Sequence, residues 1–145
     1  MACNLFTAFF GIFSASDQHF EAKQVWQYKT RPGESDSRLY IIKAESWPNG
    51  ERIFHIYVDK LKIKNPMLAD GVQTVVPHAP VSEQTLKLSV TRFQKKTDVL
   101  PDIAEGYSAW KEQYDQGGAG VFTISVSEII NIIEGAVTQH AKPHS

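Results

Sequence analysis

The sequence predicts an α+β fold, a small antiparallel sheet of three to five strands packed against three to four helices. Two observations carry this. Three strand-like segments lie close together early in the chain, joined by links too short for parallel crossovers. Helix-like segments with recognisable start and stop signals dominate the second half.

With 145 residues, 42% hydrophobic and 21% charged, the chain has the size and composition of one folded domain covering 1–145. Fifteen Lys and Arg against sixteen Asp and Glu leave a net charge of −1, which disfavours a nucleic-acid partner held mainly through phosphates. Cys3 is the only cysteine, so no intrachain disulfide can form and a CxxC-type zinc or redox centre is excluded.

In the N-terminal stretch LFTAFFGIF, Leu5, Phe6, Phe9, Phe10 and Phe13 form the stripe of an amphipathic helix over 1–16, suited to packing on the domain, on a partner or on a second copy. The stretch is far shorter than the ~20 residues that span a bilayer, so no membrane span is expected. The following Ser14, Ala15 and Ser16 give it the outline of a secretory signal, but MACN carries no positive residue. A retained helix in a cytoplasmic protein is the expectation, with a periplasmic location as the alternative if 1–16 acts as a signal.

The elements then follow in order. QVWQYKT over 24–30 alternates as a half-buried strand, RLYIIKAES over 38–46 is a β-branched and aromatic second, and RIFHIYVD over 52–59 a third. Between the first two lies YKTRPGESDS, whose Pro32-Gly33 pair reads as turn chemistry and whose charges read as an anion cradle only in a functional account. Pro48, Asn49 and Gly50 make the next turn. Residues 65–80 read as loop, with an edge strand at 72–76 released by Pro77 and Pro80. Ser82 caps a helix expected over 83–96 with Leu86, Val90 and Phe93 on one side. A second helix is expected over 101–116, with a stripe of Ile103, Tyr107, Trp110 and Tyr114, ended by GGAG. Ser125-Val126-Ser127-Glu128 is a capping-box pattern with Ile124 and Ile129 at the staple positions, opening a last helix through Ile130, Ile133 and Val137 before a frayed tail at 140–145.

Candidate site residues come from the first and third strands and the turn. Period-2 geometry places Phe54, Ile56 and Val58 in the core and His55, Tyr57 and Asp59 on the other face. Register decides whether that second face also carries Trp26 and Tyr28, making an open aromatic surface, or Val25, Gln27 and Lys29; helices covering it would instead give the tips ordinary buried partners. The expected partner-binding set is Trp26, Tyr28, Lys29, Arg31, Glu34, His55 and Tyr57. Lys60, Lys62 and Lys64 suit phosphate or an acidic protein, or simply the solvent face of an edge segment. The five histidines show no H-E-x-x-H spacing, and neither a nucleophile elbow nor a phosphate loop is present, so no metal, no cofactor and no catalytic residue is assigned.

Through VWQYKTRPGE, RIFHIYVDKLKIKNP and GVFTISVSEIINIIE the chain resembles a set of small bacterial proteins from about 24 to 134. The resemblance implies a bacterial origin and a shared domain, and brings no activity, cofactor or site with it. The expected function is a non-enzymatic module binding a protein or small ligand, with an immunity or inhibitor role toward a toxin as an analogy of size and charge. The alternatives are a small hydrolase or nuclease using His55 as base with Arg31 or Lys29 on an anionic transition state, and a weak RNA binder stacking bases on the same aromatics.

Overall fold

The structure, a computed structural model, describes residues 19–141; the expected N-terminal helix and the last residues of the tail lie outside them. Three strands form the predicted meander: β1 (Gln24–Tyr28), β2 (Leu39–Ser46) and β3 (Arg52–Val58). After a two-stranded ribbon of β4 (Ile63–Lys64) and β5 (Val72–Gln73), β6 (Val76–Ser82) returns along β3. A seven-residue helix, α1 (Glu83–Ser89), then crosses to β7 (Val90–Lys96), which pairs with β1. The sheet order is β6-β3-β2-β1-β7 and every pairing is antiparallel. Helices α2 (Ala104–Asp115) and α3 (Val126–Ala141) complete the α+β fold.

In a flat sheet the two edge strands would stand about 19 Å apart, whereas seven helical residues reach only ~10 Å. Because α1 follows β6 and precedes β7 without a linker, the sheet curls, and its concave side holds the main core. There Trp26, Tyr28, Leu39, Ile41, Phe54, Ile56, Val58 and Val81 meet Leu86 of α1 and Val126, Ile129 and Ile130 of α3. Burial of such large side chains stabilises by roughly 1.5–3 kcal/mol each, which makes this cluster the main source of stability.

Local signals explain most element ends. Glu34 N–H returns to the Arg31 carbonyl at 3.1 Å with Gly33 at φ 82°, a type II turn that places Pro32 and Gly33 where each is favoured. Helix α2 stops in a Schellman motif: Gly118 N–H reaches Gln113 O and Gly117, at φ 77°, reaches Tyr114 O. The capping box of α3 forms as expected, with Glu128 N–H on Ser125 Oγ and Ser125 N–H on Glu128 Oε1, both at 3.2 Å. Ile124 and Ile129 pack into the core on either side of that cap.

Two expectations are corrected. The helix expected over 83–96 ends at Ser89, and VTRFQKK is strand β7. Leu86, Val90 and Phe93 do recur at helical spacing, but the outer edge of β1 is otherwise unpaired, and its demand for hydrogen bonds outweighs a weak local preference. Likewise Pro77 and Pro80 do not end a strand; both lie within β6, which is tolerated because β6 is an edge. The opposite edge, β7, is interrupted by two register shifts and carries Arg92, Lys95 and Lys96, devices that discourage pairing with another chain.

Candidate functional site

Three strands and one helix build a polar cluster on the convex face. β2, β3 and β6 contribute Glu45, His55 and His78, and α2 lays Tyr107 and Trp110 over them. His55 is 0% exposed. Its Nε2 lies 2.8 Å from Glu45 Oε1 and its Nδ1 2.9 Å from His78 Nε2, and Tyr107 Oη donates to Glu45 Oε2 at 2.8 Å. An ionised Glu45 can only accept, so His55 donates from Nε2, and its bare Nδ1 accepts from His78 Nε2–H. The imidazoles stack with centroids 5.2 Å apart, while Tyr107 and Trp110 meet His55 edge-on at 4.8 Å.

Burial disfavours charge on both rings. His55 is shifted below its ordinary range by desolvation, with Glu45 opposing, and His78 is pushed down to about 4 by desolvation and by the charge His55 would carry. Burial works to raise the Glu45 pKa, but the hydrogen bonds from His55 and Tyr107 outweigh it and hold the carboxyl low. The resting network is therefore neutral His, neutral His and carboxylate, with both nitrogens of His55 occupied. Such a group is not free to accept a substrate's proton. A cleft of about 440 Å³ lined by Lys43, Asp102 and Tyr107 borders this cluster, and neither histidine lines it. Among the described residues no group of three or more His, Cys, Asp or Glu is arranged to hold a metal ion.

Helix α2 approaches this cluster at Gly106, where a Cβ would stand 2.8 Å from His78 Cβ. Gly→Ala within a helix ordinarily stabilises by up to ~1 kcal/mol. Here Gly106→Ala is expected to destabilise by roughly 1–3 kcal/mol because α2 must lift from the sheet. Denaturant unfolding would show the sign, and a stabilised variant would contradict the contact.

The turn between β1 and β2 is closed by a second network. Arg31 grips Glu34 with two parallel bonds, Nε to Oε1 at 2.9 Å and Nη2 to Oε2 at 2.7 Å, and its Nη1 reaches Glu134 Oε1 at 3.1 Å. Glu34 is 2% exposed and also accepts the Lys62 N–H, while Glu134 accepts the Lys64 N–H, each at 2.7 Å. Two carboxylates thus satisfy backbone N–H groups in and just before β4 that β5 does not reach. Arg31 is a clamp joining turn, ribbon and α3, neutralised from within, and the run 28–37 is a bend with a buried ion pair.

The ribbon this clamp holds presents a different chemistry outward. Leu61, Ile63 and Asn65 point in and are buried, whereas Lys60, Lys62 and Lys64 are exposed. Val72 pairs with Lys64 and is 39% exposed. At the tip Met67 and Leu68 are 57% and 42% exposed. The tip is nonetheless tightly braced: Asn65 N–H bonds Gly71 O, Leu68 N–H bonds Asn65 O, Gly71 N–H bonds Leu68 O, and the Asn65 side chain bonds Met67 N–H and Gln73. A groove of about 360 Å³ lies at the base of the ribbon, lined by Gly33, Glu34, Asp36, Lys60, Leu61, Lys62, Val72 and Thr74 and by no residue of the tip.

The expected site residues are dispersed by the register. Trp26 aligns with Leu39 and Val58, and Val25 with Tyr40 and Tyr57, so the open aromatic face does not form. Trp26 and Tyr28 are 2% and 5% exposed on the core side. Trp26 bonds Gln24 Oε1 at 2.9 Å and Tyr28 donates to Ser37 Oγ at 2.7 Å, its phenol pushed up to about 12 by burial. His55 and half-buried Tyr57 lie on the opposite side, Tyr57 edge-on to Tyr40. Lys29 is exposed, and Arg31 and Glu34 hold each other. Met67 and Leu68 fall within the expected loop 65–80 and are not among the expected site residues; two large apolar side chains inside the turn-forming NPMLADG are the signal the sequence offers for them.

Compared with known proteins, the chain matches no family model, no curated protein and no solved structure. Among the described residues, no helix is long and apolar enough to cross a membrane.

Proposed function

We propose that this chain is a non-enzymatic binding module that recognises a protein partner through the outward side of the β4–β5 ribbon. The observation that carries this reading is the pair Met67 and Leu68, exposed at the tip of a loop whose backbone is fixed by its own hydrogen bonds. Apolar side chains carried on a backbone already ordered before binding cost less ordering on docking, which makes an anchor more effective. Exposed singly they would need no explanation; adjacent on a tip with a braced backbone they form a recognition element. The turn at 28–37 contributes by fixing the ribbon through Arg31, and Gly33 and Asp36 border the groove.

The hydrolase reading draws no support from the arrangement, since His55 is occupied at both nitrogens and Arg31 is held by two carboxylates. Base stacking on Trp26 and Tyr28 is opposed by their burial. The binding reading is tested by replacing Leu68 with a photoreactive amino acid in the native host, with the same residue at Val99, which is 84% exposed, as control. A discrete protein adduct from position 68 and none from position 99 is expected. No adduct at 68, or the same adducts from both positions, would overturn it.

A further inference from the structure

The geometry points to an acidic partner segment with an embedded apolar side chain as the ligand of this ribbon, an inference that rests on the binding reading and specifies its chemistry. Lys60, Lys62 and Lys64 are exposed, and among the described residues none of their ammonium groups is paired with a carboxylate. The two carboxylates closest in the network, Glu34 and Glu134, are turned to Arg31 and to the backbone of Lys62 and Lys64. The lysine row therefore keeps its charge outward in a chain whose net charge is −1.

Strand geometry sends Lys62 and Lys64 to one side, about 6.6 Å apart along the strand. Carboxylates at alternate positions of an extended segment match that pitch. Exposed Val72 is paired with Lys64, and exposed Met67 and Leu68 follow Lys64 at the tip of the same ribbon, so an apolar side chain in the same segment finds contact there. A lipid surface would present negative charge as well. It is disfavoured because Asp70 sits within the tip, bonding Val72 N–H, and a carboxylate entering the bilayer interface with the tip would lose its hydration. Entry of Met67 and Leu68 into a bilayer would carry Asp70 toward anionic headgroups. Both ordinary uses of lysine on an edge, solubility and blocking of strand pairing, require only the charge; they do not require a braced apolar tip next to it.

The test uses the chain 1–145 against a displayed library of short random peptides, with vesicles of mixed phosphatidylcholine and phosphatidylserine as the second probe. Selected peptides are expected to carry two or more acidic residues beside Leu, Met or Phe. Their affinity is expected to fall about tenfold or more on raising salt from ~0.05 to ~0.5 M, and on Lys62→Glu/Lys64→Glu. Lys62→Gln/Lys64→Gln, which adds no repulsion toward Glu34 and Glu134, should give an intermediate loss. Peptides with their acids exchanged for Lys should regain binding to the reversed variant. No binder in the library, peptides without acidic enrichment, affinity indifferent to both lysine variants, or vesicles bound as tightly as the peptides would each overturn the inference. Peptides that lose binding with Met67→Ser/Leu68→Ser but ignore both lysine variants would refute the acidic chemistry while leaving the ribbon as the binding surface; peptides indifferent to all variants would remove both.

Discussion

Glu34→Ala is expected to destabilise the fold by roughly 3–4 kcal/mol, read as a lower denaturant midpoint with little change in slope. Glu34 is 2% exposed, and its removal leaves Arg31 with Glu134, Asn131 and a long bond to the Lys62 carbonyl and leaves the Lys62 N–H without its acceptor. Burial works to raise the Glu34 pKa, but Arg31 and the Lys62 N–H outweigh it and hold the carboxyl below its ordinary value. The ion pair is therefore formed in the folded chain. Glu34→Gln keeps an acceptor for Lys62 and should recover part of the loss. A cost below about 1 kcal/mol, the range of exposed pairs, would show that the clamp is solvated instead of sealed.

Acid is expected to weaken the protein well before its carboxylates titrate. In the unfolded chain His55 and His78 take up protons near 6.5; in the folded chain His55 is lowered and His78 lies at about 4. The sign follows directly. The histidine contribution is full above about pH 6.5 and falls as the unfolded state binds protons first; that of His78 levels near pH 4, where the folded ring is protonated too. His78 alone corresponds to roughly 2–3 kcal/mol over that window once its partial exposure is allowed for. The groups facing the pair are Glu45 and Lys43 of β2 and Tyr107 of α2, with the Lys43 ammonium 4.7 Å from the Tyr107 ring centroid. Glu45 adds a further loss below about pH 4.5, since its folded pKa is lowered. His78→Gln retains a donor toward His55 Nδ1 but cannot titrate, so the slope of stability between pH 6.5 and 4 should flatten by half or more. An unchanged slope would place the acid sensitivity elsewhere.

How much of this was readable in the sequence depends on where each signal resides. The meander and α3 rest on local chemistry: period-2 alternation in RIFHIYV, the WPNG turn and the SVSE cap each act within a few residues. Strand β7 rests on a partner, β1, about seventy residues earlier in the chain, and no window around VTRFQKK contains it. Both registers of the aromatic strands were compatible with alternation. The choice fell on Trp26 and Tyr28 facing inward because the curled sheet and α3 need large apolar side chains on that side. Alternation puts His55 with Tyr57 and Asp59 on the face away from the main core, yet its partners come from β2, β6 and α2, so its role as a buried link is invisible to spacing. Arg31 and Glu34 belong to the expected partner-binding set, but in the fold their charges complement each other. The lysine row is visible in the sequence, but its apolar neighbour Val72 is aligned with Lys64 only by the pairing of the ribbon.

Amide hydrogen exchange of the chain, free and in complex with the partner captured at position 68, tests the binding surface most directly. The braced tip predicts protection of the Asn65, Leu68 and Gly71 amides already in the free chain, with further slowing across 60–74 in the complex and no change at Lys43, His55, His78 or Tyr107. Slowing centred on the Lys43–Tyr107 cleft with 60–74 unchanged would contradict it.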